Sequence, residues 1–216
     1  MVFITADTHG ELERLTDKKL KFIKKYDTVI VLGDFGFVWD GSRQQDRNLK
    51  KIAKLPFRVL FIDGYNENFS ALEKYPDVIY HGAQAKEICP DQVYYIKRGQ
   101  VLDIEDMKIL CFGGADDHIP DVFSDNPPSQ ADFDTCNASL EKAVWKVDYV
   151  LTHSPSGMIS RFLNLESFVT GNLFDYLDEI SHKLEYKKWF FGMCHKDKYI
   201  SPKVQAVYTD IYKLGE

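Results

Sequence analysis

Short apolar runs that end in polar clusters with a glycine constrain the fold of this chain more than any other feature. The run VLFI at residues 59–62 meets DGYNEN at residues 63–68, and similar apolar runs lie at residues 2–4 and 28–32. A short apolar run closed by glycine and polar residues is typical of a buried strand. Helix-compatible segments separate these strands, so we predict a parallel sheet over roughly the first seventy residues. Ligands of such sheets bind at the carboxyl ends of the strands.

The rest of the chain predicts a second sheet. The hairpin turn at IEDMK indicates antiparallel pairs among three short strands, at residues 93–96, 100–104 and 108–112. Further strands are predicted at residues 149–152, 188–191 and 204–208. Predicted helices cover residues 11–26, 44–54, 66–75, 130–147 and 173–182, and a proline-bearing loop covers residues 119–129. We therefore predict one α/β domain with two sheets, spanning residues 1–216.

Composition places the chain among ordinary globular proteins. Of its 216 residues, 44% are hydrophobic and 28% are charged, and the net charge is −6. This negative charge argues against a protein that coats nucleic acid, although nucleic acid stays open as a partner. It is compatible with a small phosphorylated substrate if a metal supplies local positive charge. The four cysteines form no C-x-x-C pair, and the N-terminus lacks a signal-peptide pattern. No apolar run approaches the roughly 18 residues of a membrane span. We predict a cytoplasmic protein with reduced thiols.

Side chains that can bind a metal follow five of the predicted strands. The groups are Asp7-Thr8-His9-Gly10, Gly33-Asp34, Gly64-Tyr65-Asn66-Glu67, Thr152-His153-Ser154 and Gly192-Met193-Cys194-His195. A parallel sheet would bring them to one edge, and mixed histidine and carboxylate ligands suit zinc, manganese, iron or cobalt. On its own, D-x-H is as often a chance match or a capping aspartate, a G-D pair is more often a turn, and an isolated T-H or G-x-x-H indicates little. Their common position at strand ends is the observation that indicates a metal site.

These groups, in this order, resemble the signature of the calcineurin-like metallophosphoesterases, which reads D-x-H, G-D, G-N-H-[DE], a lone His and G-H-x-H. The stretches VLGDFGFVWD, RGQVLDIEDMKILCFGGA and VDYVLTH are similar to a bacterial or phage branch of that family. The resemblance implies a four-layer α/β/β/α sandwich with two mixed β-sheets. It also implies a metal-dependent phosphoesterase in which two metals clamp the phosphoryl group and activate a water for in-line attack.

The resemblance also assigns metal ligands position by position. Asp7, His9, Asp34 and His195 are the residues that would hold the first metal, and all four are of the expected type. Asp34 would bridge to a second metal, for which the lone histidine is His153.

Two departures from the signature affect the second metal. Tyr65 stands where the family has an amide ligand, and Met193 stands where it has an imidazole. A thioether is a poor ligand for borderline divalent ions, so we predict one strong site and one weak or absent site for a divalent transition metal such as Mn, Fe or Zn. A one-residue slip of the turn would instead make Asn66 the amide ligand, with Tyr65 turned aside. Cys194 is an alternative donor in place of the missing imidazole.

The same departures affect catalysis. Asn66 occupies the position of the family histidine that assists phosphoryl transfer beside the bridging Asp34, and an amide cannot supply general-acid help worth roughly 10²–10⁴ in rate. His118 follows a Gly-Gly pair at a strand end and is either a replacement acid or an incidental loop histidine. Arg98 and Arg161 are candidate phosphate contacts.

Two functions from different classes follow from the resemblance. The first is a phosphoesterase of reduced activity that hydrolyses a phosphomonoester or a phosphodiester. The second is a catalytically impaired relative that acts as a metal- and phosphate- or nucleotide-binding module. Either one would take a small phosphorylated molecule or a nucleotide as its partner. We favour the enzyme, because a transition metal with an open position usually retains some hydrolytic chemistry.

Overall fold

The secondary structure comes from a computed structural model, which describes residues 1–115, 126–165 and 171–215. The strands are Val2–Thr5 (β1), Thr28–Leu32 (β2), Arg58–Ile62 (β3), Asp77–Tyr80 (β4), Ala83–Cys89 (β5), Val93–Ile96 (β6), Gln100–Ile104 (β7), Met107–Phe112 (β8), Tyr149–Thr152 (β9), Lys188–Phe191 (β10), Lys198–Ser201 (β11), Val204–Ala206 (β12) and Tyr212–Lys213 (β13). The α-helices are Glu13–Thr16 (α1), Arg43–Ile52 (α2), Phe69–Leu72 (α3), Gln130–Lys142 (α4), Gly157–Phe162 (α5) and Asn172–Lys183 (α6), and a 3₁₀ helix covers Lys18–Phe22.

The first sheet has the strand order β13-β1-β2-β3-β6-β5-β4. Its centre is parallel, as the strand–helix alternation predicts, with Ile4 beside Ile30 and Ile30 beside Leu60. The edges are antiparallel, because β13 returns along β1 and the β4–β5 hairpin lies beside β6.

The second sheet has the order β11-β12-β10-β9-β8-β7 and the same plan. Strands β8, β9, β10 and β12 run parallel, and β7 and β11 pair antiparallel at the two edges. The prediction of two mixed sheets is confirmed.

Alternation of side chains along the strands divides the interior into three apolar layers. Inward residues of the two sheets, such as Ile30 and Leu151, share one core. The outer face of the first sheet packs on α2, and the outer face of the second packs on α4 and α6. Helices therefore cover both outer faces, which gives the predicted four-layer sandwich. The prediction of a single domain over residues 1–216 stays a prediction.

Several elements differ from their predicted form. Strand β6 belongs to the first sheet rather than the second, because it pairs with β3. The predicted helix at residues 11–26 is broken at Asp17, whose side chain accepts the Lys19 N–H and begins the 3₁₀ helix instead. Helix α3 is shorter than predicted, and it begins later because Asn68 caps it by accepting the Ala71 N–H. Much of the predicted loop at 119–129 lies outside the described residues.

Among the described residues, no helix is both long enough and apolar enough to cross a bilayer.

Candidate metal centre

Four strand ends that carry candidate ligands, two from each sheet, meet at one edge of the sandwich. Asp7 and Asp34 follow β1 and β2 of the first sheet, and His153 and His195 follow β9 and β10 of the second. The sheets are connected directly at this point, since His153 Nδ1 lies 3.1 Å from the carbonyl oxygen of Leu32 at the end of β2. The structure therefore brings together the residues that the sequence places at strand ends.

The backbone at this edge is strained. Five residues have positive φ angles, which are uncommon for residues other than glycine: Asp7 (48°), His9 (46°), Asp34 (47°), Met193 (62°) and His195 (46°). Backbone hydrogen bonds hold two of these turns together, because the Asp7 N–H donates to Gly33 and the His9 N–H donates to Asp34. Strain of this kind clusters at functional sites, where the surrounding structure sustains it.

Two groups of side chains at this edge have the composition of a metal site, and both contain Asp34. The first consists of His9, Asp34 and His195, and the second consists of Asp7, Asp34 and His153. In the first group the Nε2 atoms of the two histidines are 3.0 Å apart, a distance that suits a shared proton or cation. In the second group His153 Nε2 is 4.0 Å from an oxygen of Asp34.

Asp7 lies between the two groups. One carboxylate oxygen is 3.4 Å from His153 Nδ1, and the other is 3.8 Å from His195 Nε2. The family resemblance assigns Asp7 to the first metal together with His9, whereas the geometry groups it with His153.

Unpaired buried atoms test whether these residues suit a metal. Three buried atoms here have no hydrogen-bond partner within the described part of the chain. They are the two carboxylate oxygens of Asp7 and the Nε2 of His153. A buried charge without a partner is costly. Since His153 Nδ1 donates to Leu32, the Nε2 lone pair is free to bind a cation. Burial raises the pKa of Asp7 to about 7. Carboxylate and imidazole donors left open in this way fit a divalent transition metal.

Asp34 has a different environment. Its carboxylate accepts two hydrogen bonds from Asn66, at 2.7 Å from the backbone N–H and at 2.8 Å from the side-chain amide. Burial acts to raise the pKa of Asp34, but nearby His153 and the bonds from Asn66 outweigh it and hold this pKa below its usual value. The carboxylate that both groups share is therefore ionised.

Two glycines make room for this arrangement. A Cβ atom on Gly33 would lie 2.0 Å from His153 Nδ1, and a Cβ atom on Gly64 would lie 2.2 Å from Asp34. Neither position accepts a side chain without displacing a candidate ligand.

The sequence also matches a known protein family. A family model described as calcineurin-like phosphoesterase matches residues 1–192. The chain belongs to this family. Members of the family are metal-dependent phosphoester hydrolases, and the predicted membership of this family is thereby confirmed. Comparison with curated proteins gives no match.

A solved structure is also similar. It is the crystal structure of a "putative 5'-nucleotidase" from Staphylococcus aureus in complex with alpha-ketoglutarate, with 12% sequence identity and a TM-score of 0.49. The likeness covers 96% of this chain and 48% of that one, so the chain spans about half the length of that protein.

The chain departs from the calcineurin-like signature in the turn after β3, where a one-residue slip of the turn is predicted. Asn66, not Tyr65, brings an amide to the shared carboxylate of Asp34. Tyr65 is only 8% exposed and belongs to the buried core. Asn66 therefore occupies the place beside Asp34 that the predicted slip would give it, and there it is a hydrogen-bond donor to that carboxylate.

The second departure, in the segment after β10, is not compensated in the same way. The family match ends at residue 192, next to Met193, whose sulfur lies 3.5 Å from the hydroxyl of Ser154. Cys194 joins neither ligand group among the described residues. Burial, with a further contribution from Asp7, raises the pKa of Cys194 to about 11, so its thiol keeps its proton.

Residues without a motif also build the centre. Arg14 donates to the backbone oxygens of Ala6 and Asp7, and its guanidinium lies over the ring of Tyr208 at 5.0 Å. The Tyr208 ring is in turn 5.0 Å from the ring of His195. A lone arginine in an irregular helical segment carries no sequence signal for this role.

Glu67 stabilises the turn after β2 through a hydrogen bond. Its side chain is buried and accepts the N–H of Phe35, the residue after Asp34, at 2.8 Å. Burial raises the pKa of Glu67 well above its usual value. The signature includes an acidic residue at this position, which was the signal available in the sequence.

Two of the other predicted residues, Arg98 and Arg161, are engaged in ion pairs within the fold. Arg98 is buried and donates to Asp63 at 2.7 Å, so its guanidinium is engaged inside the fold rather than directed at a phosphate. Arg161 pairs with Asp178 at 3.0 Å. His118 lies outside the described residues.

Proposed function

We propose that this protein is a metal-dependent phosphoesterase that hydrolyses a phosphomonoester or a phosphodiester with reduced activity. The observation that carries the proposal is the pair of ligand groups that share Asp34, with the amide of Asn66 on the same carboxylate. Shared carboxylates of this kind hold metal pairs in phosphoesterases, and the family match supports the same chemistry.

The proposed ligands are residues of the two groups. His9, Asp34 and His195 would hold one metal, and Asp7, with oxygens near both groups, would contribute to it. Asp34 and His153 would hold the second. Met193 offers a thioether where the family has an imidazole, so we expect this second metal to bind more weakly. A divalent ion at such a site supplies positive charge to a phosphoryl group and lowers the pKa of water.

The side chains of this protein have separate tasks in the proposed reaction. Asn66, whose side-chain amide donates one N–H to Asp34, would donate its second N–H to a phosphoryl oxygen, which would orient the substrate without transferring a proton. Burial, together with the neighbouring His9, lowers the pKa of His195, so this imidazole is neutral and available as a ligand. Without an imidazolium acid at position 66, we expect the leaving group to depart more slowly, by roughly 10²–10⁴. His118 stays a candidate for the missing acid.

A second candidate function is a metal- and phosphate- or nucleotide-binding module without turnover. Met193 favours this binding module, because its sulfur lies against the hydroxyl of Ser154 and does not join His153 as a metal donor. The unpaired Asp7 and His153 atoms are consistent with metal binding in either case.

Hydrolysis of p-nitrophenyl phosphate and bis(p-nitrophenyl) phosphate, measured after chelation and with manganese restored, decides between the two. Asp34→Ala removes the carboxylate common to both groups, and Asp106→Asn is the matched control in the β7–β8 turn at the opposite end of the strands. Turnover that disappears in Asp34→Ala but not in Asp106→Asn supports the enzyme. Manganese binding by calorimetry without turnover above the Asp34→Ala level supports the binding module.

A further inference from the structure

A cavity of about 450 Å³ lies beside the candidate metal centre. His9 and Asn66, which belong to that centre, contribute to its wall, and most of the remaining wall comes from residues 36–48. Small-molecule sites in proteins have volumes of roughly 300–1,000 Å³. A phosphoester bound at the metal centre would therefore extend the rest of its structure into this cavity.

Trp39 is the aromatic group that the cavity wall presents to solvent. Its side chain is 49% exposed, although large aromatic residues are usually highly buried. The backbone around it is fixed on both sides. Gln45 Oε1 accepts the Trp39 N–H at 2.6 Å, and Asn68 Nδ2 donates to the Trp39 carbonyl at 2.6 Å. The backbone that carries the exposed indole is thus held by hydrogen bonds at Trp39 itself.

The same loop has further anchors. Gln45 Oε1 also accepts the N–H groups of Asp40 and Gly41, at 3.0 and 3.1 Å. The side chain of Asp40 accepts the Ser42 N–H, and Ser42 caps α2. A wall ordered before binding loses little entropy when a ligand packs against it.

The polar groups of the wall are mostly uncharged amides. Gln44 Nε2 donates to Asn48 Oδ1 at 3.0 Å, so this bond leaves the side-chain oxygen of Gln44 as an acceptor and the side-chain NH₂ of Asn48 as a donor group for a ligand. Asp40 adds a carboxylate that can accept from hydroxyl or amino groups. Among the described lining residues there is no lysine or arginine. The wall thus suits a flat, neutral, hydrogen-bonding group and offers no cation for a second phosphate.

We infer that this cavity binds the nucleoside part of a phosphoester substrate, with the base stacked on Trp39 and the amides of Gln44 and Asn48 at its polar edge. The inference rests on the proposed function for the position of the phosphoryl group. A nucleobase has the flat face that an indole stacks on, and stacking tolerates different bases. A nucleoside carrying one phosphoester group, rather than a nucleoside triphosphate, is the substrate class that matches the charges.

A pair of substrates with one leaving group tests the inference. Thymidine 5'-(p-nitrophenyl phosphate) and methyl p-nitrophenyl phosphate are both phosphodiesters that release p-nitrophenolate, so the ratio of their kcat/KM values reports the nucleoside alone. We expect Trp39→Ala to lower this ratio at least fivefold and Trp39→Phe to retain most of it. Phe22→Ala is the control, since it removes a ring of similar exposure, 53%, next to the start of β1. An equal loss for both substrates in Trp39→Ala would overturn the inference.

Binding measured without turnover separates this inference from the proposed function. Thymidine 5'-monophosphate, AMP and ribose 5-phosphate are titrated by calorimetry into manganese-loaded protein. We expect at least one nucleotide to bind at least fivefold more tightly than ribose 5-phosphate, and this preference to disappear in Trp39→Ala but not in Phe22→Ala. This result in a protein without hydrolytic activity would support the nucleoside site and contradict the phosphoesterase. Equal affinity of all three ligands for the wild type would overturn the nucleoside site, whatever the activity.

Discussion

Asn66 donates to Asp34 twice, from its backbone N–H at 2.7 Å and from its side-chain amide at 2.8 Å. This contact connects the turn after β3 to the end of β2 and places an amide on the carboxylate that both ligand groups share. Groups that bond to a metal ligand in this way fix its orientation and its charge.

Replacement of Asn66 tests this contact. Asn66→Ala removes the side-chain donor, so the pKa of Asp34 should rise towards its ordinary value and the carboxylate should lose its fixed orientation. We expect manganese affinity at pH 7 to fall by about 10–100-fold, as measured by calorimetry. Gln130→Ala, on the exposed start of α4, is the control and should leave the affinity unchanged. An Asn66→Ala protein with wild-type affinity would show that the amide does not support the site.

Met193 is the position at which an imidazole can be restored. In Met193→His the new histidine should tolerate the positive φ of 62° at this position, because histidine is enriched among residues with positive φ. If the sulfur limits the second metal, the variant should bind two metals per chain under conditions in which the wild type binds fewer.

Metal content after desalting, measured by mass spectrometry, reports this stoichiometry. Met158→His is the matched control, since Met158 is an exposed residue of α5. Equal metal content in the wild type and in Met193→His would contradict the role given to the thioether.

The raised pKa of Asp7 predicts a pH dependence of stability in the metal-free protein. The folded pKa is about 7 against an ordinary 3.8, so the folded state binds more protons between these values. The stabilisation is complete below about pH 4 and is lost as the pH rises through 7, with an upper limit on the order of 4 kcal/mol. Urea denaturation of chelated protein at several pH values measures it.

Asp7→Asn should reduce this slope but not abolish it, because the buried Glu67, whose pKa is also raised, contributes with the same sign. Added manganese should bind more tightly as the pH rises through 7, since the metal and the proton compete for Asp7. A slope in Asp7→Asn equal to that of the wild type would assign the titration to another group.

A side chain at Gly33 should clash with His153, and Gly82 provides a control without such a clash. Gly33 and Gly82 have similar φ angles, 89° and 81°, but a Cβ atom at Gly33 would meet His153 at 2.0 Å, whereas at Gly82 it would meet no described atom within 4 Å. Gly82→Ala should cost only the backbone strain, about 1–2 kcal/mol. Gly33→Ala should cost more than 4 kcal/mol or displace His153 and reduce metal binding. Equal free energies of unfolding for the two variants would exclude the clash.

The residues of the candidate site could be predicted from the sequence where polar residues directly follow an apolar strand. Asp7, Asp34, His153 and His195 each follow a short apolar run, and parallel strands in a sandwich bring such ends to one edge. Pairing partners were harder to predict. Strand β6 was assigned to the wrong sheet because its side-chain pattern shows burial but not which neighbour supplies its hydrogen bonds.

The amino-acid sequence by itself determined the family, the order of the strand-end residues and the replacement of two signature positions, because each of these is a matter of residue type and spacing. Only the tertiary structure decided that Asn66, one residue beyond the expected position, brings its amide to Asp34, that Asp7 lies between the two ligand groups, and that Arg98 is engaged by Asp63. The physical reason is that turn conformation and long-range pairing depend on distances between segments far apart in the chain, which residue type and spacing do not specify.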